Sequence, residues 1–217
     1  MQRGKDYQRM VEYVKSYFDS HDPLATELST RFPFRRRFDH CLRCSIWARR
    51  IALSEDADAE TVMISALFHD IGKSVEGELA QNHGEVGAQI CDDYLKSIAY
   101  DKDRREIIVR IVRNHSNHDL GRSASLETKI VSDADLLDET GAIMILWDAM
   151  ASAGEDAPSY EKAYEHIKWG YTRLKDELPH RPLHTVTARQ ILSGRLFFMD
   201  TFLKNLEYEL GRSETLQ

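Results

Sequence analysis

The sequence predicts an all-α fold, in which a single helical bundle carries a C-terminal helical extension. Two features of the sequence favour this class. The 217 residues include only 5 prolines and 11 glycines, so few positions interrupt a helix. Apolar residues recur three and four positions apart, as on a helix with one buried face, and the sequence contains no Asn-Gly or Asp-Gly hairpin turn.

The periodic stretches predict the helices in chain order. An N-terminal apolar stripe is followed by a second helix over about 38–53. A third helix begins at Asp56 or Asp58, since aspartate is a good N-cap, and carries apolar residues as far as Ile71. The later helices are predicted over 83–98, 102–115, 125–139, 142–152, 159–176 and 185–210.

Breaks between the helices separate a front part of the chain from a C-terminal helical part. Residues 24–39 contain Pro33 and a run of arginines, a composition typical of a loop that leads into a helix. Residues 153–158 form the clearest linker, and two prolines interrupt the C-terminal helices at 178–182. Because the last helix is too apolar to stand alone, we expect one domain over 1–217.

Composition excludes several classes of protein. The net charge of −7 argues against general nucleic-acid binding, which requires a basic face. The sequence has no apolar run of the roughly 20 residues that a membrane span requires, and its first residues have no signal-peptide centre. Three cysteines cannot all pair within the chain, so we expect a cytoplasmic protein in a reducing compartment. Cys41 and Cys44 form a Cys-x-x-Cys inside a predicted helix, where packing is favoured over redox chemistry.

Nine histidines stand out in this composition. His69 and Asp70 are adjacent, and neighbouring helical side chains point about 100° apart, so the two reach one ion together only near a helix end. Imidazole and carboxylate groups together suit a divalent ion such as manganese, iron, cobalt, nickel or zinc, and magnesium is a further candidate. The residues that we single out as candidates are His40, His69, Asp70, His83, His115 and Asp135.

One stretch of the sequence resembles a known family. Residues 66–73 read Ala-Leu-Phe-His-Asp-Ile-Gly-Lys, with His40 upstream and Val-Ser-Asp-Ala-Asp-Leu-Leu-Asp downstream. This order resembles the HD superfamily of metal-dependent phosphohydrolases in its His-Asp-Ile-Gly form. The resemblance covers roughly 38–150, and the helices over about 158–210 are similar to the tail of small, single-domain bacterial members.

The resemblance implies a metal site on four ligands, which are His40, His69, Asp70 and a late aspartate. Asp133 and Asp135 are two positions apart and point in nearly opposite directions on a helix, so only one of them is a ligand. The family pattern aligns best with Asp135. Asp133 is then a capping or supporting residue, and Asp138, which shares a face with Asp135, is a candidate to orient a ligand.

Two further histidines match motifs of family members that hold a second metal ion. His83 begins a His-Gly-Glu-Val stretch, and His115 follows Asn114. Dinuclear members often carry two consecutive histidines at the position of His115, whereas in this chain His115 is followed by Ser116. His83 and His115 are therefore candidates for a second metal ion, for contact with substrate phosphate, or for donating a proton.

The family resemblance also implies roles for other side chains. Asp70 is expected to orient or deprotonate the attacking water, and Lys73 to hold a phosphate as a point charge. An arginine would add a bidentate grip on the phosphate. The candidates for this contact are Arg36, Arg37, Arg43, Arg113 and Arg195.

The sequence thus favours a metal-dependent phosphohydrolase that acts on a small phosphate ester or anhydride, with nucleotides as the favoured class by resemblance. We expect neither a membrane partner nor general nucleic-acid binding. One alternative is a non-catalytic regulatory module that binds a metal and a nucleotide. A third hypothesis, a di-iron oxygenase, requires a complete second metal site.

Overall fold

The computed structural model describes residues 2–21, 36–74, 82–117, 120–121 and 123–212, with side chains from residue 6 onward except at Ser74. Over these ranges the chain forms helices and connecting segments without a strand, which confirms the predicted all-α class. The chain divides into two compact units, Met1–Asp138 and Glu139–Gln217. The expectation of a single domain stays a prediction.

The described residues of the first unit form one 3₁₀ turn and six α-helices. A 3₁₀ turn, η1, covers Ile71–Ser74. The α-helices of this unit are α1 (Gln2–His21), α2 (Arg37–Ser54), α3 (Ala59–Phe68), α4 (His83–Ser97), α5 (Lys102–Asn114) and α6 (Leu126–Asp138). Most of the predicted loop over 24–39 lies outside the described residues, and its last three residues begin α2.

Helix α3 lies at the centre of the first unit and packs against α2, α5 and α6. Asp58 caps it, with backbone N–H groups of Glu60 and Thr61 donating to its Oδ1 at 3.1 and 3.3 Å. Most of α3 is apolar around its whole circumference and buried, as expected of a helix enclosed by others. It ends at Phe68, three residues before the predicted Ile71. The His-Asp pair therefore lies just past the helix end.

The connection after α3 runs unusually close to α4. A Cβ atom placed on Gly72 would lie 2.0 Å from the carbonyl oxygen of His83 and 2.7 Å from the backbone nitrogen of Gly87. Gly87 makes the same approach from the other side, since its own Cβ would lie 3.2 Å from the nitrogen of Gly72. Two glycines thus let the backbones of η1 and α4 meet. This contact places His83 beside the His-Asp pair.

Over its described residues, 139–212, the second unit contains three helices, α7 (Ala142–Ala153), α8 (Tyr160–Glu177) and α9 (Val186–Glu209). Ser159 and Thr185 cap α8 and α9 with their hydroxyl groups, as the polar residues at these starts suggest. The core of the second unit is a cluster of apolar side chains formed by Met144, Ile145, Tyr164, Ile167, Leu174, Met199 and Leu203. Among the described residues of the whole chain, no helix combines the length and apolar character needed to cross a membrane.

Substituting Gly72 tests the close approach of η1 and α4. In Gly72→Ala the new methyl group collides with backbone atoms that cannot rotate away, so we expect the free energy of unfolding to fall by about 1–3 kcal/mol. Gly194→Ala is the matched control, because its Cβ would meet no atom within 4 Å on α9. There alanine should stabilise the helix by up to about 1 kcal/mol. Urea unfolding measures both, and equal effects would contradict the close approach.

Candidate metal centre

Three side chains from three helices converge beyond the end of α3. His40 lies on α2, His69 caps the end of α3, and Asp135 lies on α6. The Nε2 atom of His40 is 3.3 Å from Nε2 of His69 and 3.2 Å from Oδ1 of Asp135. Nε2 of His69 is 3.6 Å from the same oxygen. We call these three residues the first group.

The carboxylate of Asp70 extends the first group. Its Oδ2 atom is 3.7 Å from Nε2 of His40 and 3.6 Å from Nε2 of His69. Ligands about 2.1 Å from a divalent ion are separated by roughly 3.0–3.4 Å in octahedral or tetrahedral geometry. The distances within the first group and to Asp70 are close to this range. The donor atoms are imidazole nitrogens and carboxylate oxygens, so the arrangement fits a divalent ion.

The other oxygen of Asp70 faces a second cluster, which contains His83 and His115. Oδ1 of Asp70 is 3.2 Å from Nε2 of His115 and 4.0 Å from Nε2 of His83. The two histidine Nε2 atoms are 3.2 Å apart. Asp70, His83 and His115 form a separate set of metal-type ligand atoms, which we call the second group. Asp70 thus connects both groups through different oxygens.

Two of the histidines are oriented by the end of the helix that precedes them. Nδ1 of His69 lies 2.7 Å from the carbonyl oxygen of Ala66, and Nδ1 of His115 lies 2.7 Å from that of Val112. Because a carbonyl only accepts, Nδ1 donates in both contacts. In the neutral imidazole, Nε2 then carries the free lone pair. This is the tautomer that a metal ligand needs.

His40 is oriented by a carboxylate instead. Its Nδ1 donates to Oδ2 of Asp138 at 2.8 Å. Asp138 is buried and receives two hydrogen bonds from Arg43, from Nε to Oδ1 at 2.8 Å and from Nη2 to Oδ2 at 2.9 Å. The sequence already suggested Asp138 as an orienting residue. The bidentate contact with Arg43 explains how its charge is tolerated in a buried position.

The electrostatics of the first group follow from burial and pairing. Burial alone would lower the pKa of His40, but hydrogen bonds to Asp135 and Asp138 outweigh it and raise the pKa to about 9. Burial would raise the pKa of Asp70 and Asp135, yet the neighbouring histidines hold both values well below the ordinary range. Both carboxylates are therefore ionised at neutral pH, as metal ligands must be.

The cationic candidates for phosphate binding are placed differently. Lys73 Nζ and Arg37 Nη1 both contact Oδ2 of Asp70, at 2.9 and 3.0 Å. Arg43 is engaged with Asp138, and Arg113 donates to Glu85 on the exposed surface at 2.7 Å. Of the remaining candidates, Arg36 is exposed, and Arg195 belongs to the second unit, where it donates to Oγ1 of Thr140 at 2.8 Å. The structure thus brings Lys73 and Arg37 to the His-Asp pair.

One neighbour of the site had only a packing role in the sequence-based prediction. Cys44 lies one helical turn after His40, and its Sγ is 3.7 Å from Nε2 of that ring. All three cysteines are buried and free of disulfides, and burial raises the pKa of the Cys44 thiol well above its ordinary value. The spacing of four residues on one helix was the available signal for this contact.

Comparison with known proteins identifies similar chains. Residues 37–140 match the family model described as HD domain. YpgQ of Bacillus subtilis is 29% identical over 178 residues, which are 79% of this chain and 82% of YpgQ. A crystal structure of YpgQ aligns with a TM-score of 0.63 at 24% identity, covering 96% of this chain and 97% of that one. An HD-superfamily hydrolase from Bacillus thuringiensis aligns with a TM-score of 0.67 at 21% identity, covering 96% and 98%.

Replacing the carboxylate behind His40 tests its orienting role. In Asp138→Asn the shape is kept, but the charge that holds His40 and Arg43 is lost, so we expect Mn²⁺ affinity to fall about 10–100-fold. Isothermal titration calorimetry measures the affinity, and circular dichroism checks the fold. Asp103→Asn, at an exposed carboxylate of α5, should leave the affinity unchanged. Unchanged affinity in Asp138→Asn would contradict the orienting role.

The raised pKa of His40 predicts a pH dependence of the metal-free protein. Its ordinary value is 6.5 and its folded value is about 9, so protonated His40 stabilises the fold fully below pH 6.5. We therefore expect the free energy of unfolding in EDTA to decline as pH rises from 6.5 towards 9. The decline should shrink in His40→Asn and persist in His180→Asn, an exposed histidine. Urea unfolding at several pH values measures this, and an identical decline in both variants would be inconsistent with the assignment.

Proposed function

We propose that the chain is a metal-dependent phosphohydrolase of the HD domain family, whose family model matches residues 37–140. Its substrate is a small phosphate ester or anhydride, with nucleotides as the favoured class. The observation that carries the proposal is the convergence of the first group with Asp70. There the Nε2 atoms of His40 and His69 lie 3.3 Å apart, and each is 3.2–3.7 Å from a carboxylate oxygen of Asp70 and of Asp135.

The proposed ligands of one divalent ion are His40, His69, Asp70 and Asp135, as the sequence resemblance implies. When bound, such an ion supplies a hydroxide nucleophile near neutral pH and offsets charge on a phosphoryl oxygen. The protein's own contribution is to hold each donor atom ready. Carbonyl and carboxylate acceptors fix the ring orientations of His69 and His40 before any ion arrives.

Asp70 has a second proposed role, which is to orient the attacking water. Its low pKa makes it a weak base, so orientation is favoured over full proton abstraction. An ionised carboxylate only accepts hydrogen bonds, and it can therefore align the O–H groups of a water molecule. Its side chain is 1% exposed, so bulk water does not compete for this role.

Lys73 and Arg37 are the proposed phosphate contacts. Their side chains are 38% and 34% exposed, so both can reach a phosphate that arrives from solvent. Both nevertheless end at Oδ2 of the buried Asp70. Lys73 contributes a point charge, and Arg37 a planar group suited to two phosphate oxygens. A local positive charge of this kind offsets the overall acidity of the chain for an anionic substrate.

The nucleotide class has support from a relative. YpgQ of Bacillus subtilis, which is 29% identical to this chain over 178 residues, has been crystallised in complex with ADP. A nucleoside phosphate presents the anionic groups that Lys73 and Arg37 suit. We therefore place nucleoside phosphates first among the candidate substrates.

The second group supports a role for His83 and His115 at the same centre. With Oδ1 of Asp70, they offer three ligand atoms for another ion, or they contact substrate phosphate directly. Counting metal ions by elemental analysis separates these cases. One ion per chain excludes a di-iron oxygenase, whereas two iron ions with oxygen uptake would favour it. Nucleotide binding without turnover at full metal occupancy would instead favour a regulatory module.

Hydrolysis is tested by a substrate screen with the metal ion varied in parallel. We expect phosphate release from at least one nucleotide or phosphoester with Mn²⁺, Co²⁺, Ni²⁺, Mg²⁺ or Zn²⁺. Asp70→Asn should lower kcat by about 10²-fold or more, because it loses both a ligand charge and the water acceptor. Asp103→Asn serves as the exposed-carboxylate control and should retain activity. Failure of the metal-loaded protein to cleave any substrate of a broad panel would overturn the proposed hydrolysis.

A further inference from the structure

Cys44 lies close to the first group, whereas Asp70 belongs to the second group with His83 and His115. This cysteine lies on α2, and its thiol is buried against the ring of His40, with Sγ 3.6 Å from Nδ1 and 3.7 Å from Nε2. One ligand atom each from His40, Cys44, His69 and Asp135 can be chosen so that all four lie within 4.8 Å of one another. Four donors at such spacing can surround a single ion.

The sulfur must move to share an ion with His40. A nitrogen about 2.1 Å and a sulfur about 2.3 Å from a tetrahedral ion are separated by roughly 3.6 Å. Sγ of Cys44 is 3.7 Å from Nε2 of His40 but also 3.6 Å from Nδ1, so it packs against the ring and not beside the Nε2 lone pair. Because Cys44 lies one helical turn after His40, rotation about its Cα–Cβ bond can bring Sγ towards an ion on Nε2. A donor set of two imidazoles, one carboxylate and one thiolate is typical of zinc and of other thiophilic ions.

We propose that Cys44 is a ligand for thiophilic ions, so that the centre has two alternative ligand sets. His40, His69 and Asp135 are common to both. Asp70 completes the set for oxygen-preferring ions such as Mn²⁺ and Mg²⁺, and Cys44 completes the set for ions such as Zn²⁺ and Cd²⁺. The inference rests on the metal centre of the proposed function but not on its hydrolytic activity.

Binding through Cys44 involves proton exchange without oxidation or reduction. The thiol releases its proton to solvent as the sulfur–metal bond forms, so the ion's charge replaces that of the proton. Asp70 then keeps its contacts with Lys73 and Arg37, because this ligand set does not need its Oδ2.

The test compares Cd²⁺ and Mn²⁺ binding to the wild-type protein, Cys44→Ala and Cys91→Ala. Cys91 is a buried cysteine of the apolar core on α4 and is the matched control. We expect Cys44→Ala to lower Cd²⁺ affinity by about tenfold or more and to leave Mn²⁺ affinity within about twofold. Near-ultraviolet absorption from thiolate-to-cadmium charge transfer should appear in wild type and Cys91→Ala, and disappear in Cys44→Ala.

Each other outcome overturns a distinct claim. Equal Cd²⁺ affinity in wild type and Cys44→Ala, or absorption that is lost only in Cys91→Ala, would overturn the role of Cys44. If Mn²⁺ binds but Cd²⁺ produces no thiolate signal, the inference fails and the proposed metal centre stands. If neither ion binds the wild-type protein, the metal centre fails together with the inference. Mn²⁺ binding by Cys44→Ala also shows that this variant is folded.

Discussion

The buried carboxylate of Asp70 is the constraint on which the rest of the centre depends. A carboxylate that is 1% exposed must be compensated, because removing an isolated charge from water costs far more than the fold can supply. Here the compensation comes from separate directions. Lys73 and Arg37 contact Oδ2, and His115 contacts Oδ1. The elements that carry these groups must therefore all meet at the end of α3.

Helix ends are the means by which the fold achieves this meeting. His69 and His115 each cap a helix and donate from Nδ1 to the carbonyl three residues earlier. A carbonyl in the last turn of a helix lacks its usual partner, so the same bond satisfies the backbone and directs Nε2 outward. Gly72 and Gly87 then allow α4 to approach closely enough to bring in His83.

The surroundings of the first group bear on which ions suit it. Asp70 brings an oxygen and Cys44 brings a sulfur close to the shared His40, His69 and Asp135. Hard and soft ions differ in preference for these atoms, so selectivity depends on which fourth ligand is used. Lys73 and Arg37 contact the same Oδ2 atom of Asp70 that the proposed Mn²⁺ ligand set uses. The proposed metal site and the proposed phosphate contacts therefore share one carboxylate.

The sequence by itself determined the helical class and most helix limits, and it indicated the candidate ligands of the centre, because helical periodicity and the His-Asp pair are local signals. Only the tertiary structure decided how Arg43 and Asp138, 95 positions apart, meet behind His40, and how Cys44 joins His69 and Asp135. The tertiary structure also ends α3 at Phe68 and not at the predicted Ile71. These outcomes depend on contacts between separate helices, and packing across helices has no period along the chain.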